Sequence, residues 1–563
     1  MKRFVLFATY VVIALSAYCD RAGLEELSKD ADARYDITQV KIDGLYYNLS
    51  SRRKTARVVS VKAGDEKYAG EVRIPGNVDY QGESYGVIMI EKEAFSGCKE
   101  LTNVYIDDDV LGISYSAFSG CSGLTSIRLP RHLSLINMDA FDGCTSLERV
   151  IVPDLTMWCM THIVGTSLVF GDGPGVAESP LFFGRLYGED GKEITELVIP
   201  DGVTEVNNFT FRGCRSITSV KLPASVEKVG HMAFSECGNL RKAELSGNLK
   251  EAGANIFYQC PSLSELILPG TLKTIPQCFC RDCTSLTELT IPEGVEKVGY
   301  EAFSGCSSLT TIRIPSTLKT FEYGWGSLNG GRVIIPSIEG WCNIDFGSSA
   351  VYNATLYLDE NTPICDLRFP DGVKIVPSHA FEGYRGLNSI DFNKVETIEA
   401  FAFQESDIES VTIPEPIKEI GMAAFQSCQN LSSVDLPSSI EILAGNAFSY
   451  CPSLNLVYYN LMTFPKYGYK TWDYGWMVFE HSPIDKATLY VPEDMIEACK
   501  GEEPWSGFGQ ILPLPTGTET SIQGAECQVE KEKSAMYDLQ GRKLNAVPEK
   551  GMYIQGGRKV LIK

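Results

Sequence analysis

Apolar residues in this chain follow a short beat nested inside a longer one. Phrases such as Leu124-x-x-Ile127-x-Leu129-Pro130 and Leu309-x-x-Ile312-x-Ile314-Pro315 end on alternating aliphatic and polar positions, the period of a half-buried strand. Each leads into a weaker strand phrase, as in Val295-x-x-Val298-Gly299, and then into an aromatic phrase such as Ala302-Phe303-Ser304-Gly305-Cys306. The set then repeats. Cys98, Cys121 and Cys144 are spaced 23 residues apart, and the same step links Cys214, Cys237, Cys260, Cys283 and Cys306, then Cys428 and Cys451.

A fixed period in the range of roughly 20 to 50 residues marks a solenoid. Two short strands per turn cannot bury their own apolar faces, so successive turns must stack Leu on Leu, Ile on Ile, Phe on Phe and Cys on Cys. The expected fold is mainly β: parallel short strands in turns of about 23 residues, with N- and C-terminal caps. About fourteen to sixteen turns at roughly 4.8 Å each would make an arc around 70 Å long. The Pro column, with Pro130, Pro223, Pro292 and Pro414 as members, marks one corner, since Pro lacks the N–H that continued pairing needs. Gly before many of the cysteines suits a second corner with positive φ.

Departures from the repeat are informative. Cys280 takes a Phe place, Tyr384 takes a Cys place, and the turn at Phe403 is one residue short, with Ser406 in the Cys place. Two longer segments, near 154–196 and 321–366, resemble each other. One runs from Trp158-Cys159 to Leu186-Tyr187, the other from Trp341-Cys342 to Leu356-Tyr357. Both return to the repeat, so they read as enlarged turns.

The order Leu-x-x-Ile-x-Ile-Pro, Val-x-x-Ile-Gly, Ala-Phe-x-Gly-Cys resembles the BspA-like leucine-rich repeat family over about residues 35–512. The resemblance implies a cap over 20–90, a solenoid over 91–457 and a closing segment over 458–512. A Pro/Gly/Thr/Glu-rich linker, 513–534, precedes a tail at 535–563. In the tail, alternating apolar residues flank Gly556-Gly557 and predict a β-hairpin. That tail is similar to those of exported proteins in the Bacteroides group, and more distantly to type IX secretion sorting domains. It has only about a third of such a domain's length, so sorting by that route is the lesser reading.

At the other end, Lys2 and Arg3 precede the apolar run Phe4–Leu15 and the small residues Ser16 and Ala17. This is the layout of a signal peptide, here taken as 1–19. Export to the cell surface or extracellular space is expected, with the periplasm as the alternative. Cys19 raises lipidation, but Tyr18 stands where a small residue should precede a lipidated Cys. A lipid or surface anchor would be the chain's membrane attachment.

Composition narrows the chemistry. With 50 Lys+Arg against 72 Asp+Glu the net charge is −22, which repels nucleic acid and anionic membrane over most of the surface. The 18 cysteines of an exported chain suggest disulfides. Same-column cysteines on stacked turns point the same way, however, which is poor disulfide geometry, and a ladder of buried thiols is the favoured expectation.

Candidate sites are few. Cys278-x-Cys280-x-x-Cys283 has a metal-knuckle look, but the repeat already accounts for Cys280 and Cys283 and no fourth ligand is near. His132, His162, His231, His379 and His481 are scattered, without a zinc-protease spacing. Asp107-Asp108-Asp109 reads as a solvated corner before a Ca2+ site. Gly171 to Gly175 lacks the strand–helix context of a phosphate loop. No catalytic residue, cofactor or metal is assigned.

What remains is surface. The residue before the last aliphatic of each strong strand should point outward, giving the column Tyr105, Arg128, Ile151, Val198, Lys221, Glu244, Ile267, Thr290, Arg313, Arg368, Asp391, Thr412, Asp435 and Tyr458. Its variety suits a recognition face, although a solvated face would look equally varied. Tyr458, Tyr459, Tyr467, Tyr469, Trp472, Tyr474 and Trp476 form a second candidate, either a cap over the last turn or a stacking platform. The leading expectation is a non-enzymatic, monomeric module. It would bind a protein or glycan on another cell or in the extracellular matrix, and the family resemblance adds adhesion. The alternative is carbohydrate or peptide capture by the aromatic loop, and an enzyme comes third.

Overall fold

The computed structural model describes residues 35–515, apart from 138, 165–178, 323–330, 349–351 and 468–476, together with four short strands between 536 and 562. The expected signal peptide, Cys19 and most of the aromatic loop lie outside the described residues. No helix among them is long and apolar enough to cross a membrane.

The chain is a solenoid of roughly 17 turns, slightly more than the repeat count gave, because the enlarged turns also contribute strands to the stack. Most turns supply one three- or four-residue strand to a first parallel ladder and one two- or three-residue strand to a second. In the first ladder Ser219 lies beside Lys242, Val220 beside Ala243 and Lys221 beside Glu244. In the second, Lys228 pairs with Glu251 and Val229 with Ala252. The 23-residue step is therefore the hydrogen-bonding register itself. At the N-terminus, the antiparallel strands Ile37–Ile42, Leu45–Ser50 and Thr55–Val59 close the second ladder. The tail pairs Gly551–Gln555 with Arg558–Ile562 across Gly556-Gly557, as the expected hairpin, and adds two shorter strands to it.

The columns form as the repeat predicts. Phe211, Phe234 and Phe257 stack with ring centroids 5.4 and 5.8 Å apart, and Phe403, Phe425 and Phe448 stack at 5.3 Å. None of the sixteen described cysteines is in a disulfide. Most column thiols turn instead toward the backbone one turn back: Cys121 Sγ donates to the Phe95 carbonyl at 3.0 Å and Cys260 Sγ to the Phe234 carbonyl at 3.1 Å. A thiol suits this place because it is apolar enough for the core and still gives that carbonyl a donor. Burial pushes the Cys121 thiol up to about 12 and Cys214 to about 11, which suppresses the reactive thiolate. Gly120 and Gly143, before their cysteines, adopt φ of +71°, as expected of that corner.

The turn at Pro276 differs from its immediate neighbours. Gly230, Gly253 and Gly299 each donate a backbone N–H to the previous turn at 2.7 to 2.8 Å. Pro276 stands at the same place and has no N–H to give. In this turn Phe279 meets Phe257 edge-on at 84° rather than in a stack. Both ladders break here: Glu265–Ile267 does not pair with Glu288–Thr290, nor Glu251–Ala252 with Thr274–Ile275. A groove of about 410 Å³ lies along the first break.

The two enlarged turns share one construction. Helix Leu155–Met160 is capped by Asp154 and helix Ile338–Cys342 by Ser337, each side chain accepting backbone N–H groups of the first turn. Each helix buries its Trp. Trp158 Nε1 donates to the Thr210 carbonyl at 3.1 Å, and Trp341 Nε1 to the Ala380 carbonyl at 2.9 Å; both acceptors immediately precede a column Phe. Each segment then rejoins the first ladder and turns back on itself, through the bridges Tyr187 to Glu193 and Tyr357 to Pro363.

Candidate functional site: the face of the first ladder

The residues of the expected outward column lie at matching strand positions of the first ladder, and further residues share that register. Arg73 precedes Tyr105 in register, Tyr187 follows Ile151, Ile334 and Tyr357 follow Arg313, and Tyr490 and Leu512 follow Tyr458. Those positions escaped the repeat because they sit in the cap, the enlarged turns and the closing segment.

The column divides by how its charges are met. In the two stretches containing the enlarged turns, the hairpins lean over the face and occupy it. Arg128, expected to project outward, is only 7% exposed. Its guanidinium pairs with Asp108 at 2.9 Å and with Glu189 at 3.0 Å. Burial alone would raise the Asp108 carboxyl, but the hydrogen bonds from Arg128 and the Arg131 backbone outweigh it and hold the group low. Asp108 thus anchors arginines, and the triple-Asp corner is not a free carboxylate cluster. The second hairpin repeats the device: Arg313 pairs with Glu360 at 2.8 Å and with Glu288 at 3.2 Å. Around these pairs, arginines lie over tyrosine rings: Arg73 and Arg128 over Tyr105 at 4.4 and 4.7 Å, Arg149 over Tyr187 at 4.4 Å, Arg332 over Tyr357 at 4.5 Å.

Between the hairpins the face is open. Lys221 pairs with Glu244 at 3.0 Å, and Val198 and Ile267 stand 61% and 42% exposed in the same column. Beyond the second hairpin, Arg368, Asp391 and Thr412 are exposed and Asp435 is half-buried. Tyr458 and Tyr490 stack on each other at 4.8 Å, nearly parallel.

Asp435 is electrostatically unusual: burial raises its carboxyl to about 6, and no cation among the described residues offsets the rise. A folded pKa above the unfolded one means that this group's contribution is fully present below about pH 3.8, where both states are protonated. The contribution is lost as pH rises through about 6. Asp435→Asn is therefore expected to raise the melting temperature at neutral pH, with the gain shrinking on acidification. A gain independent of pH, in melting curves of the two proteins across that range, would contradict this reading.

Other sequence candidates fall into the scaffold. Cys280 sits in the Phe column, its carbonyl accepting from Cys306 Sγ at 3.1 Å, while Cys278, at φ +50°, takes the place that Met232, Asn255 and Glu301 hold in the neighbouring turns. No group of three or more metal-ligating side chains exists among the described residues. Of the aromatic-loop candidates, Tyr459 is buried against Trp505, and Tyr467 accepts a hydrogen bond from Trp505 Nε1 at 2.7 Å; both serve the closing cap. Tyr469, Trp472, Tyr474 and Trp476 lie outside the described residues, as does Gly171 to Gly175. The second ladder carries inter-turn ion pairs, such as Lys228 with Glu205 at 2.7 Å and Lys250 with Glu227 at 2.9 Å, each exposed and worth about 0–1 kcal/mol.

Known proteins place this architecture. A sequence profile described as a BspA type leucine rich repeat region (6 copies) matches residues 83–160, 189–310, 275–325 and 357–471, more than half the chain. A search of curated proteins finds no significant match. Among solved structures, a leucine-rich repeat protein from Bacteroides ovatus is 25% identical with a TM-score of 0.50, over 78% of this chain and 100% of that one. A leucine rich cell surface protein from Faecalibacterium prausnitzii is 19% identical with a TM-score of 0.32, covering 75% and 94%. The pneumococcal vaccine antigen PcpA is 14% identical with a TM-score of 0.30, covering 85% and 100%.

Proposed function

The chain belongs to the BspA-type leucine-rich repeat family, a family of bacterial surface proteins, and from that premise we propose that it is an exported, non-enzymatic module binding another macromolecule along the first-ladder face. The observation that carries this reading is the open stretch between the two hairpins. Val198 and Ile267 are large aliphatics at outward strand positions, 61% and 42% exposed, where a purely solvated turn would be served by any polar residue. Exposed apolar side chains in a polar, charge-paired setting suit a protein interface.

A protein partner is favoured over a glycan. Sugar stacking needs aromatic faces, and the exposed side chains that carry this reading, Val198 and Ile267, are aliphatic. The −22 charge disfavours nucleic acid. The leader Lys2 to Ala17 and the family support export, and adhesion is the form that such binding would take at a cell surface.

The test is a panel of immobilised extracellular-matrix proteins and glycans. Val198→Asp with Ile267→Asp is expected to weaken saturable protein binding by roughly tenfold or more without lowering the melting temperature. Unchanged binding by this variant, or saturable binding to glycans alone, would contradict the proposal. So would hydrolysis of a panel member.

A further inference from the structure

The last third of the first-ladder face is built differently from the rest. Over its final six strands, from Ser389–Asp391 to Gln510–Pro513, no outward strand position carries Lys or Arg. Upstream, Arg128, Lys221 and Arg313 each lie against a carboxylate of this chain. Here Asp435 has neither a cation nor a hydrogen-bond donor against its carboxylate among the described residues, and burial is the sole cause of its raised pKa. A half-buried carboxylate without a counter-charge is a cost that folding alone does not explain.

Its neighbour supplies the second half of the picture. Tyr458 follows Asp435 in register, and Tyr490 follows Tyr458. One face of the Tyr458 ring is taken by Tyr490 at 4.8 Å, leaving the Asp435 side. Over the outward tyrosines Tyr105, Tyr187 and Tyr357 this chain lays a guanidinium at 4.4 to 4.7 Å. At Tyr458 no such cation is present among the described residues, and an acceptor, Asp435, occupies the adjoining strand. Tyr458 thus lacks the guanidinium that covers those three rings, and an in-register carboxylate stands beside it.

We propose that this part of the face docks an extended protein segment bearing an arginine, whose guanidinium lies against both the Asp435 carboxylate and the Tyr458 ring. The inference rests on the strand-face reading above and names the partner's chemistry. Charge complementarity selects a basic segment, and Thr412 and Asp391 further along the column continue a polar, acidic track for it. The planar guanidinium fits better than an ammonium, because it pairs with carboxylate and stacks on an aromatic ring at once. Docking would also couple to pH. The groups facing Asp435 from the adjoining strands are Thr412 and Tyr458, and neither changes charge in the acidic range, since burial raises Tyr458 further. Only Asp435 loses its charge there, so acidification through about 6 weakens binding.

The experiment uses the full chain and a short labelled peptide of alternating Thr and Arg, read by fluorescence anisotropy at physiological salt. A matching peptide with citrulline in place of Arg removes only the charge. The Arg peptide is expected to bind and the citrulline peptide to bind far more weakly. Asp435→Asn should cost roughly tenfold or more in affinity and abolish the acid-side loss, with its melting curve showing that it folds. Asp345→Asn, an exposed carboxylate on the second ladder, should bind as wild type. Equal binding by Asp435→Asn, or an equal loss in Asp345→Asn from general attraction to an acidic chain, would overturn the inference. If panel proteins lose binding to Val198→Asp with Ile267→Asp but not to Asp435→Asn, this inference fails and the strand-face reading stands. If neither variant loses it, both fail.

Discussion

Phe234→Ala is expected to destabilise the solenoid by about 3–5 kcal/mol, the usual cost of emptying a fully buried aromatic site. Phe234 is 0% exposed and stacks between Phe211 at 5.4 Å and Phe257 at 5.8 Å. Removing it leaves a cavity that both neighbouring turns line. The cavity cannot collapse easily, because the Phe234 backbone is pinned to the Ile256 carbonyl at 3.0 Å and its own carbonyl accepts the Cys260 thiol at 3.1 Å. In a repeat array stability is close to a sum of turn and interface terms, so the loss should be local. Denaturant unfolding should split into two transitions, with hydrogen exchange rising first near Phe211–Phe257. Phe234→Leu should recover most of the loss. A single transition with an unchanged midpoint would mean that the Phe ladder does not hold the turns together.

Trp341→Ala is expected to have a comparable cost, about 3–5 kcal/mol, but a different reach. Trp341 is 1% exposed and ties helix Ile338–Cys342 to the Ala380 carbonyl two ladder positions onward. Its loss removes buried area and leaves that carbonyl without its donor. The second hairpin hangs from this anchor, so the Arg313–Glu360 pair and the Arg332–Tyr357 stack should loosen with it. Limited proteolysis should therefore cut first between the helix and Asp366. Trp341→Phe keeps most of the burial and loses only the hydrogen bond, so it should cost roughly 1–3 kcal/mol. Unaltered protease resistance in Trp341→Ala would show that the hairpin is held by its ion pairs alone.

Most of the scaffold was legible in the sequence because a solenoid writes its contacts at a constant separation. Once Cys237 and Cys260 are seen to differ by 23, the pairing of Lys221 with Glu244 and the stacking of Phe234 on Phe257 follow. Free thiols followed as well, from the direction that stacked side chains must point. The face was less legible. Arg128 meets Glu189 across 61 residues and Arg313 meets Glu360 across 47, separations that belong to insertions and carry no period. A strand pattern marks Arg128 as outward, and it is, but it cannot show that a hairpin folds over it. The Cys280-for-Phe exchange is visible as an irregularity, whereas the interruption of both ladders in that turn is a backbone pairing that no residue pattern marks. The isolation of Asp435 is a statement about what its neighbours lack, which no local motif records.

The central claim is that the first-ladder face is the binding surface, and hydrogen exchange footprinting of the complex with a panel protein tests it most directly. Binding should slow exchange in the first-ladder strands from Glu196–Val198 onward, with the second-ladder strands such as Lys228–Val229 and Lys297–Val298 unchanged. Protection confined to the second ladder or to the Phe–Gly–Cys corners would contradict it.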